Sequence, residues 1–130
     1  MSLSVQSLDI PDVVLLHPSK HDDARGFFSE TYNKFSCREA GIDAEFVQDT
    51  LFLSVQAATV RGLHFPTFPL AQARLVRVVR GSIFDVAVDL RVGSPTFGQH
   101  VSASISADDW KQIFIPVGFA HGLATLEKNT

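Results

Sequence analysis

The chain has 130 residues, 45% of them hydrophobic, and a formal net charge of −3. It therefore suits one domain, residues 1–130, able to bury roughly two-thirds of its unfolded surface, and it lacks the basic footprint of a nucleic-acid binder. The single cysteine, Cys37, excludes an intrachain disulfide, and the early aliphatic run "VVLL" is too short for a signal peptide or a membrane span. The expectation is a soluble cytoplasmic protein.

In chain order, Val13 to Leu16 reads as a first strand, ended by the polar loop "HPSKHDDARG", with "FFSETYN" as a second. "NKFSCREAGI" reads as a short helix, Asn33 placed to cap it and Gly41 to stop it. From Phe46 onward the signals are β: "FVQDTLFLSV", "TVRGLHF", and then "ARLVRVVRGSIFDVAVDLR", which divides at "RGS" into two strands joined by a tight turn. In the second of these, Phe84, Val86, Val88 and Leu90 share one face, while Ile83, Asp85, Ala87 and Asp89 share the other. "HVSASISA" alternates as a half-buried strand, "ADDW" turns the chain, and "KQIFIP" and "FAHGLATL" supply two more strands. Eleven Phe suit the gap between packed sheets. Many short strands punctuated by Gly and Pro predict an all-β jelly roll with one or two short helices.

The chemistry-bearing residues start with "VRGLHF". It sets Arg61 and His64 three residues apart, which an ideal strand would point to opposite faces. Gly62 offers a place for a bulge that would re-aim them into one pocket. The alternative is a hydrogen-bonded core histidine beside a surface arginine, and periodicity leaves both open. Arg74 and Arg80 fall on one strand face and Arg77 on the other; any of them, with Arg61, would suit a pyrophosphate, since a guanidinium binds phosphate oxygens bidentately. His121 shares a face with Phe119 and Leu123, and either Asp85 or Asp89 would be able to fix a histidine tautomer. His64 and His121 are far apart and lack the paired histidines of a metal-binding cupin, so no metal is expected.

Taken together, "DARGFFSETYN", "FVQDT", "VRGLHF", "ARLVRVVRGSIFDVAVDLRVGSPTFG" and "IFIPVGFAHG" resemble the dTDP-4-dehydrorhamnose 3,5-epimerase family, from about Val13 to the end of the chain. The resemblance implies a cupin-type jelly roll, a homodimer, and cofactor-free epimerisation at C3 and C5 of a dTDP-4-keto-6-deoxy sugar. It implies His64 as general base. It also implies substrate binding by Arg25, Glu30, Gln48, Asp49, Thr50, Arg61 and His121, with Arg74 where the family has a lysine. Thr50 stands in place of a usual Asn and Pro66 in place of a common Gln. The family's acid, a tyrosine beyond the "GFAHG" strand, would fall past Thr130, so a C-terminal portion is expected to be absent. Tyr32, the chain's one tyrosine, lies in a part of the pattern that does not supply this acid.

Overall fold

The computed structural model describes residues 3–67 and 71–130. Two four-stranded antiparallel sheets pack face to face. The first has the order β1 (Leu3–Ser7), β2 (Val14–Pro18), β9 (Gln112–Ile115), β6 (Arg74–Arg77). The second has the order β5 (Val60–His64), β10 (Phe119–Thr125), β7 (Ser82–Asp89), β8 (His100–Ser106). A hairpin of β3 (His21–Asp23) and β4 (Gly26–Phe28) and one helix, α1 (Lys34–Glu39), complete the described elements.

Period-two patterning places the core. Leu15, Val76, Ile113 and Ile115 of the first sheet meet Ile83, Ala87, Val101, Ile105, Phe119 and Leu123 of the second. Ile105, Ile113 and Ile115 are almost wholly buried, each worth roughly 1.5–3 kcal/mol of transfer free energy. The alternation expected in β7 is observed, and it carries Asp85 and Asp89 inward with Ile83 and Ala87. On the outer face of the first sheet, Val14, Leu16 and Phe114 pack under Cys37 and Ile42. The helix between them starts where expected, because the Asn33 side chain accepts from the Phe35 and Ser36 backbone N–H groups. It ends at Glu39, with Ala40 as the C-cap and Gly41 beyond it at a φ of 90° that suits glycine.

Four expectations fail. "FFSETYN" is strand only as far as Phe28, where β4 ends. The polar loop "HPSKHDDARG" contains β3 and runs into β4; Asp23 accepts from the Arg25 backbone and guanidinium at the hairpin's turn. "FVQDTLFLSV" forms no strand. Phe46 anchors against Phe114, after which Val47, Leu51, Leu53 and Val55 are exposed, and the backbone of Ser54 and Val55 bonds to the chain's last two residues instead of to a sheet edge. The segments either side of "RGS" are strands, but not a hairpin: β6 pairs with β9 and β7 with β8 and β10, so the turn carries the chain from one sheet to the other. Arg80 consequently lies beyond the end of β6, in no common strand with Arg74.

Candidate active site

The backbone of β5 answers the question raised by its sequence. Arg61 pairs with Leu123 of β10, the register then shifts, and His64 pairs with His121. Gly62 and Leu63 together oppose Gly122, which is a bulge, and one extra residue reverses the facing of everything after it. Residues opposite one another share a sheet face, so Arg61 and His64 both join the face of His121 and Leu123. Glycine is needed at the bulge. Gly62 has a φ of 103°, and a Cβ there would lie 2.6 Å from the His121 carbonyl oxygen and 2.8 Å from Gly122 Cα.

His121 is buried, and its Nε2 lies 2.8 Å from Oδ2 of Asp85, which is wholly inaccessible. In register, Asp85 faces Leu123, making it the diagonal neighbour of His121, within reach of a long side chain. Burial pushes the Asp85 carboxyl above its ordinary pKa, opposed by the His121 hydrogen bond and by the charges of His121 and Arg74. Its other oxygen, Oδ1, is buried with no hydrogen-bond partner among the described residues. Buried orphan acceptors are rare in folded proteins and gather at sites of function. Arg74 reaches this interior from the opposing sheet, since it pairs with Ile115, a core residue of β9.

Arg61 is held rather than free. Its Nε donates to Ser54 Oγ at 3.0 Å, its Nη2 to the Leu53 carbonyl at 3.3 Å, and its guanidinium lies 4.6 Å from the Phe52 ring centroid. These contacts pin the irregular segment that carries Gln48, Asp49 and Thr50, all exposed, with Gln48 Nε2 donating to Thr50 Oγ1. His64 is exposed, and no hydrogen bond among the described residues orients its ring. Arg25 and Glu30 are not brought to this group. Arg25 is a solvent-exposed hairpin residue paired with Asp23, and Glu30 lines a small recess with Tyr32, Asn33 and Cys37 on the first sheet's outer side. Tyr32 packs edge-on against Phe46 there, with ring centroids 5.5 Å apart.

The inner face of β5 and β10 thus gathers Arg61, His64, His121 and, from β7, Asp85, with Arg74 on the inner face of the opposing sheet. The sequence marked Asp85 and Asp89 equally as partners for a histidine. The other carboxylate, Asp89, is spent on Arg91, Ser94 and Thr96. Among the described residues no three His, Cys, Asp or Glu side chains form a metal-sized cluster.

Such a wall, with one exposed imidazole, one imidazole held by a carboxylate and two guanidinium groups, belongs to a jelly-roll protein of two packed antiparallel sheets. A family model described as dTDP-4-dehydrorhamnose 3,5-epimerase matches residues 7–130, and the chain belongs to that family. The dTDP-4-dehydrorhamnose 3,5-epimerase of Sinorhizobium fredii is 51% identical over 125 residues, covering 96% of this chain and 64% of the relative. The enzyme of the same name from Shigella flexneri is 46% identical, covering 95% and 68% respectively. The crystal structure of the Bacillus anthracis dTDP-4-dehydrorhamnose 3,5-epimerase, with TDP and PPi bound, superimposes with a TM-score of 0.95 at 44% identity, over 98% of this chain and 73% of that one. The Legionella pneumophila dTDP-6-deoxy-D-glucose-3,5-epimerase, in complex with dTDP-4-keto-L-rhamnose, gives 0.92 at 39% identity, over 98% and 67%. The chain spans about two-thirds of the length of the curated relatives it matches.

Proposed function

We propose that this chain binds a dTDP-4-keto-6-deoxyhexose and, with His64 as general base, removes the protons that flank its C4 ketone, the chemistry of a 3,5-epimerase. The observation that carries this reading is the β5 bulge, which puts His64 beside Arg61 and opposite His121 on the inner wall. A ketone acidifies the C–H bonds on either side, and histidine is the side chain whose ordinary pKa suits abstraction near neutral pH. The enolate that results carries its charge on oxygen. Arg74, fixed in charge, would stabilise it from the opposing sheet without giving up a proton. Arg61, already pinned by Leu53 and Ser54, would take a diphosphate oxygen at little further ordering cost. His121 would bind the sugar from a ring that Asp85 holds in place. Gln48, Asp49 and Thr50 would line the entrance, and no cofactor or metal is required.

Arg25 and Glu30 would reach this group of residues from a second copy, because their own chain holds them at the hairpin and the outer recess. A homodimer also accounts for the exposed Val60, Leu63 and Phe65 along the free edge of β5 and for the exposed Val47, Leu51 and Phe52 of the segment before it. No helix among the described residues is long and apolar enough to cross a membrane, and a water-soluble nucleotide sugar suits a cytoplasmic setting.

A second reading has its own support. The only tyrosine packs against Phe46 on the outer face, so it supplies no acid opposite His64. On that reading the chain binds the nucleotide sugar without completing epimerisation. Product stereochemistry by NMR decides: inversion at C3 and C5 supports the first reading. Calorimetric binding of dTDP with neither exchange nor inversion supports the second, and no binding at all defeats both.

A further inference from the structure

On the far side of the first sheet lies a cleft of about 360 Å³, lined by Phe27 and Ser29 of the hairpin region and by Arg77, Val79, Trp110 and Lys111. That volume falls in the range of small-molecule sites. Its aromatic wall is fixed. Phe27 and Trp110 meet edge to face with centroids 5.0 Å apart. The indole N–H donates to Ser29 Oγ at 3.0 Å, and Ser29 in turn donates to the Ser19 carbonyl at 2.6 Å. Trp110 also has a φ of 61°, a left-handed conformation that is an outlier for so bulky a residue and that persists only where surrounding contacts impose it.

The charge in the cleft runs against that of the chain. Lys20 places its ammonium 4.4 Å from the Phe27 centroid and 4.9 Å from that of Trp110. Arg77 and Lys111 add two more cations, none of the three makes an ion pair among the described residues, and no Asp or Glu lines the cleft. Two cations without an ion pair lining the cleft and a third already seated over its rings, in a chain of net charge −3, make a concentrated exception. Arginine and lysine recognise phosphate oxygens, and an exposed aromatic face recognises a planar ring.

The geometry points to this cleft as a second ligand site, for a planar aromatic group carrying a phosphate, of which a nucleotide is the available probe. Within one chain it is separate from the proposed sugar site. Arg74 points with Val76 into the core, whereas Arg77, three residues on, lies on the opposite face of β6 with Leu75.

Trp110 is the chain's only tryptophan, so its emission reports directly from the cleft. Titration of the 130-residue chain with thymidine diphosphate is expected to change that emission saturably. Thymidine and inorganic pyrophosphate, each lacking half of the recognised chemistry, should bind at least tenfold more weakly. Arg77→Ala and Lys111→Ala, both outside the core, should each weaken the response about tenfold, while Arg61→Ala leaves it intact even if nucleotide-sugar binding is lost. No saturable change overturns the proposal. So does a change abolished by Arg61→Ala but retained in the Arg77→Ala/Lys111→Ala double variant. A change that follows protein concentration and ignores nucleotide would assign the cleft to a second copy and overturn it equally.

Discussion

The His121 ring and the Asp85 carboxylate meet across neighbouring strands through a 2.8 Å hydrogen bond, the ring buried and the carboxylate wholly inaccessible. With Asp85 ionised, the ring donates from Nε2 and leaves Nδ1 free to accept. Asp85→Ala removes that constraint and strands a buried imidazole, so we expect a loss of about 2–3 kcal/mol in urea unfolding. Turnover should fall by about 10–100-fold, the usual cost of losing the partner that orients a functional histidine.

The same carboxylate gives a pH signature. Burial holds Asp85 above 3.8, so the folded state binds its proton more tightly than the unfolded chain does. Its contribution is therefore most favourable below 3.8 and declines as pH rises through the folded value. Asp85→Asn, which cannot ionise, should gain on the wild type as pH climbs from 3.8. Denaturation midpoints at constant salt check this; a variant-minus-wild-type stability that falls as pH rises contradicts it.

Asp89 has the opposite sign. Arg91 donates to it from Nε, Nη2 and the backbone, and Ser94 and Thr96 add hydroxyl donors, which together hold the carboxyl far below 3.8. Its stabilisation is complete above 3.8 and is lost as pH falls through the folded value. Asp89→Asn should cost about 2–3 kcal/mol near neutrality, with the gap to wild type closing in acid. A gap that is constant with pH would show that the ionised form is not what matters.

Gly62→Ala tests the bulge. The added Cβ would collide with backbone atoms of β10 rather than with a movable side chain. We expect a destabilisation of about 2 kcal/mol or more and loss of any dTDP-sugar binding, because Arg61 and His64 would lose their common face. Calorimetry on the folded fraction measures both effects. Unimpaired binding would mean that the bulge does not set the site.

Most of the architecture was legible because β7 and β8 obey strict alternation, and because Asn33 and Gly41 bracket the helix chemically. The failures share a cause. "FVQDTLFLSV" has the composition of a strand but no partner edge to bond to, and pairing partners are a tertiary property that no local window contains. The β6–β7 turn likewise looked like a hairpin because a turn signal does not say which sheet the next strand will join. At the site, the glycine in "VRGLH" announced a bulge, but its register, and hence the joint facing of Arg61 and His64, required β10 alongside. Residue spacing alone left Asp85 and Asp89 equivalent. Arg91, two residues after Asp89, is what separates them.

The most direct measurement is uptake of solvent deuterium at C3 and C5 of dTDP-4-keto-6-deoxyglucose, since proton removal needs the base and the cation but not the acid that completes inversion. The account predicts uptake with the wild-type chain and none above background with His64→Ala, while dTDP still binds. Equal uptake by the two proteins would contradict it.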